Sequence, residues 1–200
     1  MGGVTELLYV SGVGQGFWTP WEAACWAILS QRTSMRTASA LKRRISRELG
    51  TPVVVDGEEL TTFPSPEVLL KAEALLGVNG LKLARVHTLA AAALGGTLTT
   101  EALRAVPAED ALATLRELPG VGPFSAALIL VRDAGAPDVF AASEPRPLTA
   151  IREFYHLSDT ATDDDFRAIA EKWRPLRSWV SFWLRSASPD TLATLRHCPQ

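Results

Sequence analysis

Leu115-Arg116-Glu117-Leu118-Pro119-Gly120-Val121-Gly122-Pro123-Phe124-Ser125-Ala126-Ala127 is the stretch on which the reading of the fold turns. A helical pattern runs out at Leu118, a four-residue Pro-Gly-Val-Gly turn follows, and Pro123 stands where a new helix begins. Proline at the first helical position loses nothing, because that amide has no intrahelical partner in any case. Gly120 and Gly122 permit positive φ and leave backbone N–H groups uncovered by any Cβ. Such amides beside a helix N-terminus can cradle a phosphate without a charged side chain. Contacts of this kind position a nucleic-acid strand and carry no sequence readout. Pro119 to Pro123 is equally a good turn between two packed helices, and the pattern alone leaves both readings open.

Helix punctuation continues on both sides. Thr19-Pro20-Trp21-Glu22 reads as a capping box that opens an apolar helix through about Leu29. Ser34 caps a second helix ending at Gly50, Ser65-Pro66-Glu67 starts a third, and Leu81 to Leu94 forms a fourth that stops at Gly95-Gly96. Pro107 with Glu109 and Asp110 begins the helix that reaches Glu117, and the helix from Pro123 ends near Gly135. Thr162 and the three aspartates after it put negative charge at a helix N-terminus, where the dipole favours it, and Pro175 starts the last long helix. Val53 to Val55 is the only strand-like run and is too short to make a sheet. With no internal repeat, the expectation is an all-α chain.

Length and composition narrow the class. Two hundred residues, 47% apolar and 21% charged, suit one globular unit or two lobes around a cleft, and exclude disorder, collagen and coiled coil. The longest apolar run, Ala23 to Leu29, is far below the roughly 18 residues of a membrane span. The N-terminus is polar and glycine-rich and shows no secretory pattern. Only Cys25 and Cys198 occur, which points to a reducing cytoplasm and away from a thiolate metal site. His87, His156 and His197 are scattered without metal-ligand spacing, and no P-loop, dinucleotide fingerprint or serine elbow is present. The net charge of −2 argues against a strongly basic nucleic-acid binder. Its distribution is uneven, however. Arg32, Arg36, Lys42, Arg43, Arg44 and Arg47 fall in an acid-free stretch, and Lys172, Arg174, Arg177 and Arg185 form a second cluster. Solvated helix faces or contact surfaces both account for such clusters.

The turn resembles the hairpin of the helix-hairpin-helix DNA glycosylases, and three further segments match in the expected order. Trp21-Glu22-Ala23-Ala24 with Ile28-Leu29-Ser30-Gln31-Arg32-Thr33-Ser34 resembles the opening helix of the DNA-3-methyladenine glycosylase II group. Phe63-Pro64-Ser65-Pro66-Glu67 with Gly80-Leu81-Lys82-Leu83-Ala84 is similar to its middle section, and Trp173-Arg174-Pro175-Leu176-Arg177-Ser178-Trp179 to its closing helix. The matches span residues 18 to 187. The resemblance implies a two-lobed all-α fold, with about 31–132 in the lobe that carries the hairpin at 118–123 and about 1–30 plus 133–200 in the other. It implies a monofunctional enzyme that flips alkylated bases out of double-stranded DNA in base excision repair, with no cofactor or metal. A monomer in a bacterial cytoplasm, associated with the nucleoid when bound to DNA, is the matching expectation. The alternatives are a catalytically impaired DNA-binding paralogue and a glycosylase for deaminated or oxidised bases.

Residue roles carry over position by position. The family's catalytic aspartate follows a motif represented here by Gly135-Ala136-Pro137-Asp138-Val139-Phe140, and its position holds Glu144, one methylene longer. A carboxylate there stabilises positive charge on the sugar and can activate water; the plain alternative is an exposed acid at a loop-to-helix boundary. Bifunctional relatives carry a lysine where this chain has Phe124, so the resemblance implies base release without lyase cleavage. Phe124 matches an aromatic that stacks on the flipped base, with Leu128, Trp183 and Arg185 at neighbouring pocket positions. Leu118, Gly120, Val121, Gly122 and Ser125 belong to the DNA-gripping hairpin. Gln31, Arg32 and Lys82 are placed on the DNA side, and Leu81 matches an apolar wedge, though a helix-start packing role fits it as well.

Overall fold

The structure, a computed structural model, describes residues 19–140, 142 and 145–186, apart from the side chains of residues 132, 146, 185 and 186. Helices are set by their caps. Thr19 Oγ1 accepts the Glu22 amide at 3.2 Å and opens α1 (Pro20–Leu29), in which every residue is buried. An all-round apolar helix of this kind belongs at the centre of its unit. The Glu22 carboxylate turns inward to Lys42 Nζ at 2.5 Å. Ser34 caps α2 (Met35–Leu49), whose Ala38, Leu41 and Ile45 line its buried side. After a short α3 (Pro66–Leu70), Asn79 caps α4 (Gly80–Leu94). Then come α5 (Thr100–Arg104), α6 (Ala108–Glu117) and α7 (Pro123–Leu128). α7 widens into a π-turn over Ile129–Asp133, where the Ala134 amide reaches back to the Ile129 carbonyl.

Two expectations are corrected. Val53 to Val55 does pair: β1 (Pro52–Val55) and β2 (Glu58–Thr61) form an antiparallel hairpin, a small addition to a fold that is otherwise helical as expected. Asp56 and Gly57, both at positive φ, form its two-residue turn, the Asp-Gly signal that suits the right-handed twist of a hairpin. The division into units also differs. Of the described residues, 19–135 group together and those from Ala136 form the other unit, so α1 joins the hairpin unit rather than the C-terminal one. The reason is packing: α1 lies against α2, α4, α7 and the π-turn, and Ile28, Leu29, Ile45, Leu89, Leu115 and Ile129 are fully buried there.

The second unit contains α8 (Pro145–Phe154), α9 (Asp163–Glu171) and α10 (Arg177–Ser186). Its core is Ala150, Ile151, Phe166, Ile169 and Leu184, with Phe140, Trp173 and Val180 packed against it. Thr162 and Asp165 cap α9 reciprocally, at the helix start where the aspartate run places negative charge. No helix among the described residues is long and apolar enough to cross a membrane.

Candidate nucleic-acid interface

The turn between α6 and α7 is held from inside. The Val121 amide donates to the Leu118 carbonyl at 3.0 Å and the Val121 side chain is buried, so this residue anchors the turn with both its N–H and its side chain. Gly120 has φ +87°, and a Cβ there would lie 2.8 Å from Ile28 Cδ1 and 3.0 Å from Arg85 Cδ. Glycine is therefore required twice over, by backbone conformation and by space. Gly122 is different from the sequence expectation. Its backbone is extended, φ −85° and ψ 178°, and a Cβ there would meet nothing within 4 Å. What Gly122 provides is bare, open backbone at the N-cap of α7, whose first amides lack intrahelical acceptors.

A polar brace sets the turn's orientation. Gln31 Nε2 donates to the Gly120 carbonyl at 2.7 Å, and Gln31 Oε1 accepts from Arg85 Nη1 at 2.8 Å. Lys82 Nζ donates to the Leu29 carbonyl at 2.8 Å and to Thr33 Oγ1 at 3.1 Å, placing a cation at the C-terminus of α1 where the dipole favours it. Desolvation holds the Lys82 ammonium below its ordinary pKa. Gln31 and Lys82, expected on the DNA side, thus have their polar atoms engaged within the protein and act as braces. Arg85 and Thr33 were not singled out from sequence; the Lys82–Arg85 spacing of three on one helix was the available signal.

Other candidates are displayed outward. Arg32 is exposed at φ +51° in the loop between α1 and α2. Leu81 is 64% exposed in the first turn of α4, which excludes a buried packing role. Phe124 is 42% exposed at the head of α7, Ser125 is half-buried beside it, and Leu128 is half-buried one turn later. These residues all belong to the first unit. Trp183, 41% exposed, lies on α10 of the second unit, together with Arg185, whose side chain is outside the described residues. Glu144 also lies outside the described residues.

The second unit holds a clamp that sequence reading missed. Asp138 Oδ1 accepts from Arg177 Nε at 2.7 Å, and Oδ2 accepts from Arg177 Nη2 at 3.1 Å and Arg174 Nη1 at 2.8 Å. Glu171 accepts from both arginines at 2.6 Å and 2.8 Å. The Arg177 hydrogen bonds hold the Asp138 carboxyl below the usual carboxylate range. Ser178 completes the clamp: its amide donates to the Pro137 carbonyl, and its hydroxyl bridges the Val139 amide and carbonyl. Two members of the expected C-terminal basic cluster, Arg174 and Arg177, are therefore neutralised in ion pairs. Their work is to rivet residues 137–139 to the start of α10.

No protein-family model matches the chain. A DNA-3-methyladenine glycosylase of Bacillus subtilis is 24% identical over 167 residues, 82% of this chain and 55% of the relative. DNA-3-methyladenine glycosylase 2 of Escherichia coli is 33% identical over 158 residues, 77% of this chain and 52% of the relative. The chain thus spans about half the length of these curated relatives. The solved 3-methyladenine DNA-glycosylase from Archaeoglobus fulgidus superposes with a TM-score of 0.67 at 25% identity, covering 84% of this chain and 57% of that one. Sequence likeness over four-fifths of the chain, joined to a shared helical architecture, is what this chain has in common with the DNA-3-methyladenine glycosylases, in keeping with the helix-hairpin-helix resemblance of its turn.

Proposed function

We propose that this chain grips double-stranded DNA and, as a monofunctional glycosylase, hydrolyses the N-glycosidic bond of alkylated bases of the 3-methyladenine type. The observation that carries the reading is the braced turn, with Gly120 locked from inside while Gly122 and Phe124 are presented outward. Open amides at the start of α7 hold a phosphate of the damaged strand. The Phe124 ring stacks on the extruded base, and a cationic alkylated base is attracted by the ring's face. Leu81 fills the gap left in the stack, offsetting the few kcal/mol that unstacking costs.

Glu144 supplies the anion. As the bond from C1′ to the base breaks, its electron pair leaves with the base and the sugar becomes cationic; the carboxylate stabilises that charge. Water adds to C1′ and gives up its proton to the carboxylate. Phe124 offers no amine for a Schiff base, so the strand is not cut.

The test is release of free base from an alkylated duplex, measured alongside strand cleavage. Release without cleavage that Glu144→Gln abolishes supports the assignment. Release that survives this change removes Glu144 from the chemistry, and silence of the unaltered chain on alkylated, deaminated and oxidised DNA leaves only DNA binding.

A further inference from the structure

Three arginines on α2 have no part in the hairpin. At 100° per residue, Arg36, Arg43 and Arg47 fall within about 20° of one line and span about 16 Å of helix axis. All three are exposed, and so is Ala40 between them, while Ala38, Leu41 and Ile45 point into the core from the opposite side. Among the described residues no acid forms an ion pair with Arg36, Arg43 or Arg47. The other cations of this helix are used differently: Lys42 pairs with Glu22, and Arg44 donates to the Leu76 carbonyl.

Folding asks for only one member of this stripe, Arg47, which stands in the last turn where the helix dipole favours a cation. Arg36 stands in the first turn, where the helix dipole disfavours a cation, and Arg43 and Arg47 are like charges one turn apart, which weakens a helix. A chain of net charge −2 nevertheless concentrates on one line three cations that no acid among the described residues pairs. The stripe also begins close to the turn between α6 and α7, since α2 follows directly from the loop whose Gln31 bonds the Gly120 carbonyl.

We infer that Arg36, Arg43 and Arg47 form a second track for the DNA backbone, contacting phosphates that flank the one held by the hairpin. The inference rests on the DNA-binding reading above. Small Ala40 leaves room for the strand to approach the helix. The contact is sequence-independent, because side chains along a helix face reach phosphates rather than base edges. Its role is to extend the footprint of an acidic protein whose central turn carries no charged side chain.

The experiment is binding of an undamaged duplex, followed by fluorescence anisotropy between about 50 and 200 mM salt, a fourfold range. The variants are Arg36→Gln, Arg43→Gln and Arg47→Gln, singly and together, with Arg167→Gln on α9 as control. Each lost phosphate contact lowers the salt slope by about 0.9, so the triple variant loses about 2.7. The advantage of the unaltered chain over the triple variant then shrinks about fortyfold across that range. Arg167→Gln leaves the slope as it was. A triple variant with an unchanged slope and unchanged thermal unfolding overturns the stripe while leaving the hairpin reading standing, which Gly122→Ala probes separately. If the triple variant unfolds, the single variants carry the same reading. Absence of salt-dependent binding by the unaltered chain overturns both.

Discussion

The two glycines of the hairpin turn should respond oppositely to the same methyl group. Gly120→Ala forces a non-glycine residue to φ +87°, at about 1–2 kcal/mol. Its Cβ arrives 2.8 Å from Ile28 Cδ1, and Ile28 is fully buried, so relief means overpacking the core at about 1–3 kcal/mol. Shifting Arg85 instead strains its bond to Gln31. The sum is about 2–5 kcal/mol, or a fall in Tm on the order of 5–15 °C. Gly122→Ala meets no atom within 4 Å on an extended backbone, so its stability should stay within about 0.5 kcal/mol of the unaltered chain or rise slightly. On the proposed reading its methyl stands where a phosphate approaches. Losing one hydrogen bond to a charged group, about 1.5–3 kcal/mol, weakens duplex binding about tenfold to a hundredfold. Thermal unfolding by circular dichroism and duplex binding by anisotropy, on both variants, make the comparison. A Gly120→Ala protein with the original Tm refutes the locked-turn account, and a Gly122→Ala protein that binds duplex undiminished refutes the open-amide account.

Three further outcomes follow from other parts of the molecule. Glu144→Gln should lower base release from alkylated DNA by about a hundredfold to a thousandfold while duplex affinity is kept, since only the charge at the reacting sugar is lost; single-turnover release measures it. Lys42→Ala takes the cation from the buried Glu22 carboxylate and should lower unfolding free energy by about 3 kcal/mol in urea titrations. Asp138→Asn should destabilise the second unit by about 1–2 kcal/mol at neutral pH. Because the folded-state pKa of Asp138 is depressed, its contribution is present above the unfolded value and lost as pH falls through the folded one. The gap between Asp138→Asn and the unaltered chain should therefore narrow below about pH 4, and a gap that is constant with pH would refute the ionic clamp.

Much of the helical frame was legible because caps act over three or four residues. Ser34, Asn79, Pro123 and Thr162 each start a helix within a turn of where the sequence places one. The failures were of other kinds. Asp56-Gly57 is a local signal for the β hairpin, which the short Val53 to Val55 run does not show by itself. The π-turn at Ile129 carries no sequence mark, because Ile129 and Leu130 are set by burial against the rest of the unit. Gln31 and Lys82 look like free polar side chains on paper, yet their partners are the Gly120 carbonyl, 89 residues away, and the Leu29 carbonyl, 53 residues away.

By itself the sequence determined that a helix breaks at Leu118 and another begins at Pro123, with a glycine-containing turn between them, since proline and glycine act on their own backbone. Only the tertiary structure decided that, of the two hairpin-turn glycines, Gly120 takes the left-handed conformation and Gly122 does not, that Arg174 and Arg177 are spent on Asp138 and Glu171, and that Arg36, Arg43 and Arg47 are left facing solvent. The physical reason is that a charge or a carbonyl is satisfied by whatever packing brings beside it, and packing joins residues that the chain keeps far apart.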